Sequence, residues 1–91
     1  RTRVSDSGAG MQLAVFGPES SRLGDVVQLE AAVVGAQSFY WLLPDGSVRA
    51  GEPSVTIQAS ELGETRATLV GRHGDGNTLN VDFTLVVTDE P

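Results

Sequence analysis

The sequence predicts an all-β domain in which two antiparallel sheets pack as a sandwich. Three observations lead to this fold class. Apolar and polar residues alternate over most of residues 11–88, the alternating runs are short and recur about every ten residues, and turn-forming residues separate them. A closed barrel is the alternative architecture that this pattern leaves open.

The stretch "LNVDFTLVV", residues 79–87, carries the clearest strand signal. Successive side chains of a strand point to opposite faces, so one face collects every second residue. The predicted inward face consists of Leu79, Val81, Phe83, Leu85 and Val87.

The remaining strands follow from shorter runs of the same kind. They are predicted at "MQLAVF" (11–16), "DVVQLEAAV" (25–33), "SFYWLL" (38–43), "SVTIQ" (54–58) and "RATLVG" (66–71). Gly and Pro clusters between the runs, such as Pro44-Asp45-Gly46, predict turns. A helix fits only "ASELGE" (59–64), and Gly63 limits it to about one turn.

Length and charge narrow the class of protein. The 91 residues suit one small domain. The net charge of −6 opposes binding to nucleic acid and insertion at anionic membrane surfaces. The absence of cysteine excludes disulfides and thiolate metal sites within these residues. No apolar run approaches the roughly 20 residues of a membrane-spanning helix.

The ends of the chain differ from its middle in composition. Residues 1–10, "RTRVSDSGAG", show no periodicity, and we expect a linker or frayed end there. Residues 11–88 form the predicted domain, and residues 89–91 are expected to lead to a following domain. The chain begins at Arg1 without an initiator Met, so we expect it to be a piece of a longer protein.

The order of these elements resembles the immunoglobulin-like superfamily over nearly all of residues 11–88. Trp41 stands where such domains place the buried Trp of their third strand. Ala31 and Ala67 stand where the inter-sheet cysteines would be, as a cysteine-free variant requires. The resemblance implies an Ig-like sandwich of about seven strands.

The PKD-type subgroup, a bacterial Ig-like module, resembles the chain equally well. Its aromatic-x-Trp motif followed by Asp-Gly corresponds to Phe39, Trp41, Asp45 and Gly46. Two positions depart from the pattern. Pro44 replaces a Gly of that motif, and Thr65 replaces the Tyr whose hydroxyl would form the tyrosine-corner hydrogen bond.

Strand parity divides the three adjacent aromatic residues. Phe39 and Trp41 share a face with Leu43, and we expect them in the core. Tyr40 and Leu42 point to the outer face of the same sheet, where they offer a contact surface for a partner.

No catalytic arrangement emerges from the sequence. His73, the only histidine, lies in the glycine-rich "GRHGDGN" without a nucleophile motif, and no helix follows to cradle a phosphate. A calcium loop beginning at Asp75 would need Glu where Val86 stands. We therefore predict that the chain is not an enzyme and needs no cofactor.

A calcium site assembled from several loops is the one metal site that the sequence leaves open. The candidate oxygen donors are Asp6, Asp25, Asp45, Asp75 and Asp89. The competing interpretation is that these aspartates shape turns, as Asp45 does in a Pro-Asp-Gly turn.

These observations predict a non-catalytic Ig-like module of a larger secreted or cell-surface protein, with an extracellular, cell-surface or periplasmic location. Resemblance implies that such a module spaces or stabilises neighbouring domains of the same chain, as in an adhesin or an exported hydrolase. The alternative function is recognition of a polysaccharide or a protein through the face carrying Tyr40 and Leu42.

Overall fold

A computed structural model describes residues 2–89 and contains nine strands. They are β1 (Thr2–Gly8), β2 (Met11–Gly17), β3 (Ser20–Arg22), β4 (Val26–Val34), β5 (Ser38–Leu42), β6 (Val48–Ala50), β7 (Ser54–Gln58), β8 (Gly63–Arg72) and β9 (Thr78–Thr88). Residues 2–89 contain no helix, so the turn of helix considered at residues 59–64 does not form. The same residues accordingly offer no helix that would reach across a bilayer.

The strands form two sheets, which confirms the predicted all-β sandwich. One sheet has the order β1-β2-β4-β7 and the other the order β3-β9-β8-β5-β6. All neighbouring strands are antiparallel except β3 and β9, which run parallel. The chain changes sheet at Pro18, because β2 belongs to the first sheet and β3 to the second.

The inward faces of the two sheets form one hydrophobic core. Trp41 and Phe83 are its largest fully buried side chains, and Leu and Val residues from both sheets surround them. The alternation predicted for residues 79–87 is confirmed: Val81, Phe83, Leu85 and Val87 are buried, and Leu79 packs against them half-buried. Removal of these side chains from water is the main term stabilising the sandwich.

Residues 2–10 do not form the linker or frayed end that was predicted for residues 1–10. Thr2–Gly8 form β1, which pairs with β2 in an unbroken register from Thr2 opposite Gly17 to Gly8 opposite Met11. Ala9 and Gly10, with φ of 52° and 80°, close a two-residue hairpin of the type that requires positive φ at both positions. The sequence did not predict β1 because the segment is mostly polar: Val4 is its one apolar side chain packed against the core.

The structure has nine strands where about seven were predicted, because three short or polar segments also form hydrogen-bonded ladders with neighbouring strands. β1, β3 and β6 carry little apolar alternation, and backbone hydrogen bonds to a neighbour place them in a sheet. At the carboxyl end, Asp89 follows β9 outside any strand. Three residues lie outside the described part of the chain: Arg1, Glu90 and Pro91. Most of the linker predicted at residues 89–91 therefore lies outside it as well.

Candidate functional site

The aromatic residues of β5 divide as strand parity predicts. Trp41 is completely buried, Leu43 is buried just after the strand, and Phe39 packs half-buried against the same core. The indole Nε1–H of Trp41 donates a hydrogen bond of 2.7 Å to the backbone carbonyl oxygen of Glu52. This bond satisfies the one polar group of the indole, so Trp41 is a structural anchor rather than a ligand contact.

The opposite face of β5 contributes to an exposed apolar surface. Tyr40 pairs with Ala50 and Leu42 with Val48 across the β5–β6 ladder, so the four side chains form two adjacent cross-strand pairs. Leu42 is 41% exposed and Val48 57% exposed. We call these four residues, Tyr40, Leu42, Val48 and Ala50, the β5–β6 patch.

Tyr40 has a packing role within this patch. Its partner on the other side of β5 is Val70 of β8, and Val70 is only 5% exposed although it lies on the outer face of the sheet. Tyr40 and Asn80 flank Val70 in the ladder. An aromatic ring beside Val70 accounts for its burial and for the half-buried state of Tyr40. Leu42 and Val48 therefore supply most of the accessible apolar surface.

Sequence reasoning identified Tyr40 and Leu42 but missed their neighbours Val48 and Ala50. A signal was present in Pro44-Asp45-Gly46, because a tight turn after Leu43 returns the chain alongside β5. The register then places Val48 opposite Leu42. The three residues of β6 were too short a run to stand out as a strand.

Three of the proposed calcium donors accept hydrogen bonds from residues at most three positions away in the sequence. The carboxylate of Asp45 accepts hydrogen bonds from the Ser47 backbone N–H (2.9 Å) and the Ser47 hydroxyl (2.6 Å). These two bonds, with a smaller contribution from the charge of Arg49, lower the pKa of Asp45 below its usual value. Asp25 accepts from the backbone N–H of Arg22 (3.0 Å), and Asp6 from that of Ser7 (2.9 Å).

Asp75 organises the hairpin between β8 and β9. Its carboxylate accepts from the backbone N–H of Asn77 at 2.9 Å and from the Asn77 side-chain amide at 3.1 Å. His73 Nδ1 lies 3.2 Å from Asp75 Oδ1. The hydrogen bond from Asn77 is the largest cause of a lowered pKa at Asp75, and the charge of His73 contributes in the same direction.

The five proposed calcium donors belong to different segments of the chain. Asp6 lies in β1, Asp25 precedes β4, Asp45 follows β5, Asp75 lies between β8 and β9, and Asp89 follows β9. Between residues 2 and 89, no three acidic or histidine side chains gather as a metal site requires. The bonds described above account for Asp45 and Asp75 as turn-forming residues.

The lowered pKa values of Asp45 and Asp75 predict a loss of stability in acid. A carboxyl group whose pKa is lower in the folded state stabilises that state above its unfolded pKa, and the contribution is lost as pH falls through the folded value. We therefore expect the urea midpoint to decline below pH 3.8, the ordinary value for Asp. Asp45→Asn should flatten this decline, and a pH profile equal to that of the wild type would contradict the assignment.

Comparisons with known proteins yield similarities of structure but none of sequence. No family model and no curated protein sequence matches the chain. Among solved structures, one that the chain resembles is the sulfur carrier protein SoxY from Chlorobium limicola f thiosulfatophilum, with a TM-score of 0.62 and 17% sequence identity. The similarity covers 89% of this chain and 81% of that one. At this identity the comparison supports the β-sandwich fold and nothing further.

Proposed function

We propose that the chain is a non-catalytic Ig-like module, of the PKD type, in a larger secreted or cell-surface protein, where it holds neighbouring domains apart. The observation that carries this proposal is the continuous core that the two sheets share. A sandwich packed in this way keeps a fixed shape between the domains that it joins, whereas a flexible linker does not.

The PKD assignment is supported by how its motif residues are used. Trp41 anchors the core, and Asp45 with Gly46 forms the tight turn behind it, with Gly46 at a φ of 86°. Both roles are structural, in keeping with a scaffold motif. The sulfur-carrier role of the SoxY structure is not carried over, since these 91 residues contain no cysteine thiol on which sulfur would be held.

The β5–β6 patch favours recognition as a second function. Leu42 and Val48 place exposed apolar surface side by side at the edge of the five-stranded sheet. Apolar residues that are grouped and exposed in this way are a feature of protein and carbohydrate contact surfaces. A polysaccharide or a protein would contact Leu42 and Val48 first, with the edge of the Tyr40 ring behind them.

One experiment in the full-length protein separates the two functions. Three variants are compared for secretion, surface exposure and the activity or adhesion of the whole protein: residues 2–89 replaced by a Gly/Ser linker, Leu42→Ser, and Val86→Ser. Val86 is the matched control, because it lies on the outer face of the same sheet at the same 41% exposure as Leu42 but away from the patch.

We expect the linker replacement to impair the protein and both point variants to behave as wild type if the module is a spacer. Impairment by Leu42→Ser but not by Val86→Ser would establish recognition rather than spacing as the function. Binding assays with insoluble glycans and candidate proteins would then identify the ligand. A linker replacement that secretes and functions as wild type overturns both proposals.

A further inference from the structure

One edge of the four-stranded sheet presents unpaired backbone groups. Within the described residues, β7 pairs with β4 alone. The Pro53 carbonyl accepts from the Ala31 N–H, and the Ala59 N–H donates to the Asp25 carbonyl, so odd-numbered residues turn their backbone groups toward β4. Alternation then directs the N–H and C=O groups of Ser54, Thr56 and Gln58 to the free edge.

A cleft of about 540 Å³ lies beside this edge. Thr56, Ile57 and Gln58 of β7 line it from one sheet, and Leu43 and Asp45, which follow β5, line it from the other. The cleft therefore opens on the side of the sandwich where the free edge of β7 is exposed. Leu43 and Ile57 belong to the buried core, so the accessible apolar surface of the cleft comes mainly from Val26, which is 70% exposed, next to a row of unpaired backbone donors and acceptors.

The charges at this cleft are of one sign. Asp45 and Glu61 are among its lining residues, whereas none of the chain's six arginines is. Arg49 is close enough to favour the ionised form of Asp45 but does not line the cleft. A ligand that enters the cleft with a positive charge gains Coulomb energy there, and an acidic ligand loses it.

We propose that the β7 edge binds an extended basic peptide, which joins the four-stranded sheet as an additional antiparallel or parallel strand. Main-chain hydrogen bonds to Ser54, Thr56 and Gln58 supply the affinity, as in other cases of strand addition. An apolar side chain of the peptide contacts the exposed Val26, and a Lys or Arg side chain lies near Asp45 or Glu61.

A second copy of the chain is a poorer occupant of the same edge. β7 has the sequence Ser-Val-Thr-Ile-Gln and carries no cation. Pairing of two β7 edges would bring two acidic clefts together without a compensating charge, and like charges at an interface disfavour association. The charge of the cleft thus selects a basic partner over self-association.

The probe for this site is a blocked nine-residue peptide in which valine and arginine alternate. Two matched peptides accompany it: one with glutamate in place of arginine, and one that is doubly N-methylated, with a methyl group on a central amide of each of its two edges. Titrations are followed by amide chemical shifts of the 91-residue protein, by hydrogen exchange at Ser54, Thr56 and Gln58, and by fluorescence anisotropy of a labelled peptide.

Thr56→Pro tests the edge directly. The Thr56 N–H points away from β4, so proline there removes no hydrogen bond of the β4–β7 ladder but blocks strand addition. Thr56→Val is the matched control, because it keeps the N–H and suits a strand. Glu61→Gln removes one charge from the cleft without altering the edge.

We expect the valine–arginine peptide to bind the wild type and Thr56→Val equally, and Thr56→Pro at least about tenfold more weakly, since main-chain bonds supply most of the affinity. Glu61→Gln should weaken binding by about three- to fivefold and reduce its dependence on salt. The glutamate peptide and the doubly N-methylated peptide should not bind.

Three results would each overturn the proposal: no shifts with the valine–arginine peptide, equal binding of the glutamate peptide, or binding of the N-methylated peptide as tight as that of its parent. The N-methylated comparison needs no protein variant, so the proposal remains testable even where Thr56→Pro fails to fold. The site is separate from the β5–β6 patch, and its failure would leave the proposed spacer and recognition functions unaffected.

Discussion

Replacing Trp41 with alanine should lower the free energy of unfolding by about 3 to 5 kcal/mol, the range for truncating a large aromatic residue in a packed core. Trp41 has no exposed surface and lies in the centre of the single core formed by both sheets. Because Trp41 is the only tryptophan, urea unfolding is followed by circular dichroism rather than by fluorescence.

Trp41→Phe separates the two contributions of this side chain. Phenylalanine keeps most of the apolar volume but leaves the Glu52 carbonyl oxygen without the indole N–H. We expect a loss of about 1 to 3 kcal/mol, the cost of an unsatisfied polar group together with a small cavity. A Trp41→Ala protein with the urea midpoint of the wild type would contradict the core placement of Trp41.

Gly35→Ala is the second substitution with a large expected effect. Gly35 has a φ of 83°, and a Cβ at this position would overlap the carbonyl oxygen of Gly10 in the β1–β2 turn. Backbone cannot move aside as a flexible side chain does, so the turn must shift. We expect a loss of about 2 to 4 kcal/mol, which combines the cost of a left-handed conformation for an L-residue with steric strain.

Gly46→Ala is the control that isolates the conformational term. Gly46 has nearly the same φ, 86°, but a Cβ there would meet no atom within 4 Å. We expect Gly46→Ala to cost about 1 to 2 kcal/mol, the left-handed term alone. Thermal unfolding of the two variants measures the difference, and equal melting temperatures would show that the contact with Gly10 carries no strain.

The fold class was predictable because alternation reports directly which residues face the core. Val81, Phe83 and Leu85 are buried as their spacing predicts, and Trp41 anchors the core as its position predicts. Alternation could not predict β1 and β3, and the reason is physical. Their places in the sheets come from main-chain hydrogen bonds to β2 and β9, and such bonds leave no hydrophobic pattern in the sequence.

The candidate sites were predictable only in part. Parity identified Leu42 as outward-facing, but the burial of Val70 on the same face depends on which side chains stand beside it across the ladder. Asp45 could be recognised as a turn residue, whereas whether three carboxylates gather at one place depends on the order of the strands. The free edge of β7 likewise follows from sheet topology and has no counterpart in local sequence.

The parallel pairing of β3 with β9 has a mechanical consequence. The two strands are held through three register pairs and by the bond from the Leu23 N–H to the Thr88 carbonyl. A stretching force applied between the two ends of the chain would first open the β1–β2 hairpin, whose paired bonds separate one after another from Thr2 and Gly17. Once β2 has also separated from β4, the force would pull β3 and β9 along each other in opposite directions, so that their hydrogen bonds bear the load together.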